Sequence, residues 1–223
     1  MTSVNDGQKI AGITAVILAG GRNTRFPIHK GLISINGSTI MQRNLSLMRS
    51  IFDHVLISTN RPELYFYLGT PLLGDILPPR GPISGIHAAL TNSGDDDVFV
   101  MACDMPFPEA RLIRLLCERH LAPDGEARYD ATMPVFNGAV QPLFGIYGRP
   151  VIQALEDAII EDKVTLRLFL DDVNVQYICE ADVRAADQEG RSFMNINTIE
   201  DYKAIMRDEE GPGPVEESRG FIF

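Results

Sequence analysis

A chain of 223 residues with 45% hydrophobic and 22% charged residues has the composition of an ordinary globular protein and can bury a sizeable core. Its net charge of −10 argues against a nucleic-acid-binding surface but allows a small phosphorylated ligand held by local cations. Three widely spaced cysteines without a Cys-x-x-Cys pair indicate neither a disulfide framework nor a cysteine zinc site. Because the sequence shows neither a signal-peptide core nor an apolar run near ~18 residues, we expect a cytoplasmic protein that contacts no membrane.

The first predicted strand, residues 13–18, ends at a glycine pair that begins a loop rich in cations. Gly20 and Gly21 carry no Cβ, so the backbone can turn sharply there and approach a ligand closely. The cations of this loop are Arg22, Arg25 and Lys30. Free amide N–H groups, a turn and positive charge together suit the phosphates of a nucleotide. The alternative is a strand-to-helix turn with solvated basic residues.

Strands and helices alternate along the rest of the chain. Short apolar runs predict strands at 54–58, 72–76, 97–102, 131–135, 143–147 and 173–178. Capping and amphipathic signals predict helices at 39–49, from the 78–85 segment to residue 90, and at 109–120, 151–161, 166–170 and 198–207. The strands on either side of Asn137-Gly138 are expected to be antiparallel because their connection is short. From residue 208 the charge and the Gly-Pro content predict a flexible tail, so residues 1–207 are predicted to form one domain.

This alternation predicts an α/β fold, a single doubly wound, mostly parallel, Rossmann-like sheet with some antiparallel strands. Ligands of such sheets bind outside the carboxyl ends of the strands. The loop of residues 18–30, Asn60, Asp75 and Asp104 all fall near such ends. We therefore expect them to share one site.

Asp104 is the residue that the sequence indicates most strongly as a metal ligand. A hard carboxylate at a strand end suits Mg²⁺, which prefers oxygen ligands and usually arrives with substrate phosphates. The alternative is an aspartate that caps the next helix. Arg25 and Lys30 would offset the charge of a triphosphate, unless they are ordinary surface cations.

Four amide or carboxylate side chains could recognise the other parts of the substrates. Asn60 and Asp75 could bind base or ribose edges, and Asn195 and Asn197, two apart on an extended segment, could hold a polar acceptor. Turn formation and capping are the alternatives for all four. The four histidines have no metal-ligand spacing, and the missing Gly-x-Ser-x-Gly, Walker and Gly-x-Gly-x-x-Gly patterns argue against hydrolase, P-loop and dinucleotide-dehydrogenase sites.

The sequence resembles the molybdenum cofactor guanylyltransferase family. The blocks that carry the resemblance occur in the family's order between residues 14 and 205. They are Leu18-Ala19-Gly20-Gly21 with Arg25 and Lys30, Thr59-Asn60-Arg61, the Asp75 segment, Gly81-Pro82-Ile83-Ser84-Gly85, Cys103-Asp104-Met105-Pro106, Gln141-Pro142-Leu143-Phe144 and Asn195-Ile196-Asn197-Thr198. Phe26-Pro27 and His29-Lys30 depart from the Met-Gly and Asp-Lys pairs that are common in the family.

The resemblance implies transfer of GMP from GTP to molybdopterin, giving molybdopterin guanine dinucleotide and pyrophosphate with Mg²⁺ as cofactor. By position, residues 18–21 would contact the nucleotide, Lys30 its phosphates, and Asn60 and Asp75 the guanosine. Arg25, Lys30 and Asp104 would be catalytic, with Asp104 as the metal ligand. The acceptor side would comprise Gly81, Gly85, Asn195 and Asn197. Cofactor-synthesis enzymes and the enzymes that receive the cofactor are further expected partners.

Two other functions remain open at this point. A related enzyme could use CTP on molybdopterin or act on a sugar phosphate, although Leu-Ala-Gly-Gly rather than Leu-Ala-Ala-Gly favours guanine. A nucleotide-binding module with impaired catalysis is the other alternative, because Pro27 lacks an N–H group and has a fixed φ inside the phosphate loop.

Overall fold

A mixed β-sheet crosses the molecule, with helices on both of its faces. The computed structural model describes residues 8–20, 29–121, 128–162 and 165–210. The strands in these ranges are β1 Ile13–Leu18, β2 Ser34–Ile35, β3 Ser38–Thr39, β4 Val55–Ser58, β5 Leu72–Leu73, β6 Asp97–Ala102, β7 Ala131–Phe136, β8 Ala139–Val140, β9 Phe144–Gly148 and β10 Val175–Ile178. The α-helices are α1 Ile40–Ile51, α2 Pro82–Asn92, α3 Ala110–Leu121, α4 Ile152–Ile160, α5 Leu166–Phe169, α6 Glu180–Ala186 and α7 Ile199–Glu210.

The strand order is β10-β7-β9-β6-β1-β4-β5, with β8 paired to β7 and a separate β2–β3 hairpin. Strand β1 is parallel to both β4 and β6, β4 is parallel to β5, and β10 is parallel to β7. Strand β9 is antiparallel to β6 and to β7. At the turn after β7, Asn137 and Gly138 have φ of +49° and +68°, the left-handed pair that a tight hairpin requires. The predicted mostly parallel α/β sheet with antiparallel strands is confirmed.

The two faces of the sheet bury separate apolar clusters. Alternate residues of β1 point to opposite faces, so Ala15 and Ile17 pack against α1 and α3, whereas Val16 and Leu18 pack against α2 and α4. Because both faces are covered, β1 is buried throughout, which explains its continuous apolar sequence. A third, smaller cluster joins the β2–β3 hairpin to α7 through Ile35 and Ile205.

Several element boundaries differ from the predictions. Helix α2 begins at Pro82, within the 78–85 segment predicted to lead into it, because proline at the first helical position needs no N–H partner, and the helix continues to Asn92 instead of ending at residue 90. Strand β5 has only two residues, whereas residues 72–76 were predicted. Helix α6 was not predicted, since Val183 is its only buried residue and one apolar position gives no helical period. Helix α7 continues to Glu210, and residues 211–223 of the predicted tail lie outside the described residues.

None of the helices in the described ranges is both long enough and apolar enough to cross a membrane.

Candidate active site

The carboxyl ends of the central strands β1 and β6 lie side by side. Leu18 stands opposite Ala102 in the parallel register, and the N–H of Cys103 donates to the carbonyl of Leu18 at 3.0 Å. The β1 loop, beginning at Ala19-Gly20, and Asp104 therefore emerge at the same edge of the sheet. Ligands of α/β sheets bind at this edge.

A cation, a carboxylate and an amide meet there. The Nζ of Lys30 donates to Asp104 Oδ2 at 2.8 Å and to Asn197 Oδ1 at 2.6 Å. The Lys30 side chain is 25% exposed and the Asp104 side chain 17%, so both groups are accessible but partly shielded from water. We call these three residues the Lys30 group. Because α3 begins only at Ala110, Asp104 does not cap that helix, and the alternative considered for it from the sequence is wrong.

Buried isoleucines hold the separate chain segments of the Lys30 group together. Lys30 begins a short 3₁₀ turn that leads into Ile33 and the β2–β3 hairpin. Ile196, next to Asn197, is fully buried in the same cluster as Ile33. The N–H of Ile196 also donates to the backbone carbonyl of Asp104 at 3.1 Å. These contacts bring residues that are distant in the sequence to one place.

Asn60 and Asp75 hydrogen-bond to each other at the same edge of the sheet as the Lys30 group. The Asn60 side-chain amide donates to Asp75 Oδ2 at 2.7 Å, and the Asp75 backbone N–H donates to Asn60 Oδ1 at 2.9 Å. Thr59 links this pair to the β1 loop, since its hydroxyl donates to the carbonyl of Ala19 at 3.1 Å. Partial burial raises the pKa of Asp75 above its ordinary value, and the hydrogen bond from Asn60 offsets only part of that rise.

The residues predicted to bind the acceptor are less closely grouped. Gly81 is exposed and has φ of +80° immediately before α2, a conformation that favours glycine. Gly85 is buried within α2, where a Cβ would lie 2.7 Å from Ser58 Oγ and 3.0 Å from Leu18 Cδ2. Close helix–sheet packing therefore accounts for a glycine at this position, and its contact with an acceptor stays a prediction. Asn195 is exposed and donates to the carbonyl of Phe193 at 3.3 Å, whereas Asn197 reaches Lys30.

Part of the predicted phosphate loop belongs to residues 21–28, which the structure does not describe. Gly21, Arg25 and the Phe26-Pro27 pair lie outside the described residues. The roles predicted for Gly21 and Arg25 therefore stay predictions.

The donor set at the sheet edge fits a magnesium ion only if a substrate supplies further oxygens. In the described parts of the chain, no three His, Cys, Asp or Glu side chains cluster as a metal site. Asp104 would thus be a single carboxylate ligand, which suits Mg²⁺ because this ion keeps several waters and takes phosphate oxygens from the substrate. The neighbouring Cys103 does not suit nucleophilic chemistry, since burial, with the adjacent Asp104 charge, raises the pKa of its thiol to about 12.

Sequence reasoning missed one carboxylate near the site. Asp201, in the first turn of α7, accepts hydrogen bonds from the N–H groups of Asn197 and Thr198, each at 2.9 Å. The sequence does contain a capping-box pattern here, Thr198-x-x-Asp201. The prediction of the last helix relied on the threonine alone.

Known proteins are similar to this chain in both sequence and fold. Residues 15–176 match the family described as the MobA-like NTP transferase domain. A probable molybdenum cofactor guanylyltransferase of Peptoclostridium acidaminophilum is 31% identical over 215 residues, covering 95% of this chain and 97% of that relative. Another from Pelotomaculum thermopropionicum is 34% identical over 188 residues, covering 84% of this chain and 89% of that relative.

A solved structure supports the same relationship. Molybdopterin-guanine dinucleotide biosynthesis protein A from Archaeoglobus fulgidus matches with a TM-score of 0.76 and 26% identity, covering 88% of this chain and 98% of that one. A nucleotidyl transferase from Methanothermobacter, 18% identical with a TM-score of 0.61, shares the fold. This chain therefore belongs to the molybdenum cofactor guanylyltransferase family, carries its MobA-like NTP transferase domain, and is a nucleotidyltransferase.

Proposed function

We propose that this nucleotidyltransferase transfers GMP from GTP to molybdopterin, forming molybdopterin guanine dinucleotide and releasing pyrophosphate. The observation that carries the proposal is the Lys30 group at the carboxyl ends of β1 and β6. The names of the relatives supply the substrate classes, because several are molybdenum cofactor guanylyltransferases.

The proposed reaction is an in-line displacement at the α-phosphorus of GTP. A terminal phosphate oxygen of molybdopterin forms the new P–O bond, and the bond from the α-phosphorus to the bridging oxygen of pyrophosphate breaks. Such a reaction needs positioning and charge stabilisation more than covalent help from the protein. Lys30 supplies a partly shielded positive charge next to Asp104.

Asp104 is the residue that would hold Mg²⁺. When bound, the ion would neutralise developing negative charge on the phosphate oxygens and help to align them. In the free protein Lys30 neutralises Asp104 instead. Nucleotide phosphates offer Lys30 other anionic partners, so substrate binding would release the Asp104 carboxylate for the metal.

The Asn60–Asp75 pair is the proposed contact for the guanosine. An ionised carboxylate only accepts hydrogen bonds. The Watson–Crick edge of guanine presents N–H donors, whereas that of cytosine presents acceptors beside a single amino group. A carboxylate at Asp75 therefore favours guanine.

The test is a transfer assay with Mg²⁺, molybdopterin and each of the four NTPs in turn. We expect pyrophosphate release and the dinucleotide product with GTP, with little turnover of the other three. Preference for CTP would replace the guanine assignment by a cytidylyl one. GTP binding without pyrophosphate release would indicate an impaired nucleotide-binding module.

Replacing Asp75 by asparagine should weaken GTP binding about tenfold, because a charge-assisted hydrogen bond to the base becomes a neutral one. Since burial raises the pKa of Asp75, its carboxylate becomes protonated as the pH falls through that raised pKa, and the affinity of the wild-type protein for GTP should decrease in that direction. The measurement is calorimetric titration with GTP from neutral pH down to about pH 4, the ordinary pKa of an aspartate, above which the raised pKa lies.

The matched control for Asp75 is Asp53→Asn, at an exposed position beyond α1. It should bind GTP as the wild-type protein does at every pH. The same pH profile in Asp75→Asn and in the wild-type protein would contradict a role for the Asp75 carboxylate, because protonation of the triphosphate itself affects both proteins equally.

A further inference from the structure

The carboxylate of Asp201 binds the backbone of the segment that carries Asn197, a member of the Lys30 group. Its Oδ2 accepts the backbone N–H groups of Asn197 and Thr198, each at 2.9 Å. In return, Thr198 Oγ1 accepts the N–H of Asp201 at 3.1 Å. Asp201 and Thr198 therefore form a reciprocal box at the start of α7.

Capping the start of α7 requires only two of these three hydrogen bonds. A capping box satisfies the N–H of the N-cap residue and one N–H in the first turn of the helix. The bonds between Asp201 and Thr198 fulfil both functions. The N–H of Asn197 precedes the cap, so its bond to Asp201 fixes the segment outside the helix.

With this additional hydrogen bond, the backbone is held in place on both sides of Asn197. On one side of Asn197, Ile196 is buried and its N–H is bound to the carbonyl of Asp104. On the other side, Asp201 holds the N–H groups of Asn197 and Thr198. Asn197 itself is exposed, yet hydrogen bonds tie the preceding residue to Asp104 and its own N–H to α7.

The position of Asn197 determines the direction of Lys30. A lysine ammonium group has three N–H donors. In the described parts of the chain, Lys30 has two acceptors, Asp104 Oδ2 and Asn197 Oδ1. With two donors engaged on fixed acceptors, the remaining N–H has a defined direction, and a donor oriented in advance stabilises developing charge without reorganisation.

We propose that Asp201 is a positioning residue for nucleotidyl transfer, acting through Asn197 to orient the ammonium group of Lys30. This role rests on the proposed function in one respect, namely that Lys30 binds the phosphate group that is transferred. The backbone N–H groups of Asn197 and Thr198, and to a smaller degree the charge of Lys30, lower the pKa of Asp201. Asp201 is therefore fully ionised at neutral pH and remains a strong acceptor.

The test compares four single variants and one double variant. Asp201→Ala removes both hydrogen bonds to the backbone, whereas Asp201→Asn keeps an oxygen that can accept them. Glu200→Ala is the matched control, because Glu200 is an exposed carboxylate in the same helical turn and, among the described residues, makes no hydrogen bond with Asn197. Asn197→Ala and Asn197→Ala/Asp201→Ala show whether Asp201 acts through Asn197.

We expect Asp201→Ala to lower kcat about tenfold at saturating substrates, with a smaller change in KM for GTP, because a misplaced catalytic group costs rate more than binding. Asp201→Asn should regain most of this loss, and Glu200→Ala should keep the wild-type kcat. The double variant should be no slower than Asn197→Ala alone. A lowered Tm in Asp201→Ala with wild-type kcat, or fully additive losses in the double variant, would overturn the proposal.

A chemical readout separates this inference from the proposed function. Acetylation of Lys30 by acetic anhydride, followed by peptide mass spectrometry, should be several-fold faster in Asp201→Ala and Asn197→Ala than in the wild-type protein and in Glu200→Ala. Equal rates in all proteins would overturn the positioning role. If the wild-type protein transfers no GMP to molybdopterin, the proposed function fails, and the acetylation rates still decide the role of Asp201.

Discussion

The Asp104→Asn variant is expected to lose about a thousandfold or more in kcat while remaining folded. Asparagine keeps the size of the side chain and one oxygen, but it removes the charge that would bind Mg²⁺ and that pairs with Lys30. Loss of one preorganised electrostatic contact typically costs 10²–10³ in rate, and loss of the metal ligand should cost at least as much. Steady-state pyrophosphate release with GTP and molybdopterin measures the effect.

The stability of Asp104→Asn should remain close to that of the wild-type protein. Asparagine can still accept the hydrogen bond from Lys30 Nζ, so we expect the change to lower the free energy of unfolding by about 1 kcal/mol, the size of one net hydrogen bond. Asp53→Asn, the same change at an exposed position, is the control and should keep full activity. Normal turnover in Asp104→Asn would show that Asp104 is not the metal ligand.

The Lys30→Met variant is expected to lose about a hundredfold in kcat/KM, and its affinity for GTP should also fall. Methionine keeps much of the apolar stem of lysine but lacks the ammonium group, so the phosphates lose a charge-assisted contact. Asp104 and Asn197 lose their shared donor at the same time. Steady-state kinetics and GTP titration separate the two effects, because Asp104→Asn should change kcat far more than GTP affinity.

Lys203→Met is the matched control for Lys30, since it removes a lysine from an exposed position on α7. Its kinetics should match those of the wild-type protein. In the double variant Lys30→Met/Asp104→Asn, the loss should be smaller than the product of the single losses, because the two side chains are in direct contact. Strict multiplication of the two losses would contradict their action as one group.

Local signals predicted most of the elements that carry the site. The buried strands β1 and β6 were evident as apolar runs, and the helix predicted from residue 39 does begin with a capping box, formed by Thr39 and Gln42. A capping box is formed by residues close together in the sequence, and a strand that is buried on both faces is apolar along its whole length. Both features are therefore visible in the sequence itself. The placement of Asp104 at a strand end followed from the same reasoning.

Other predictions needed contacts that no local pattern contains. Strand β5 is shorter than predicted because Asn60 and Asp75 pair with each other beyond its last strand hydrogen bonds. The sequence did not indicate that Asn197 accepts a hydrogen bond from Lys30 or that Asn195 donates to the carbonyl of Phe193.

By itself, the sequence determined the α/β class, the edge of the sheet that the candidate site residues share, and the family, because strand ends and ordered motif blocks are local properties of the chain. Tertiary structure alone decided that Lys30, Asp104 and Asn197 share hydrogen bonds and that Asp201 supports Asn197. Lys30 and Asn197 are 167 positions apart. The burial of Ile196 against Ile33 brings their segments together, and packing between such distant segments has no signature in either segment's own sequence.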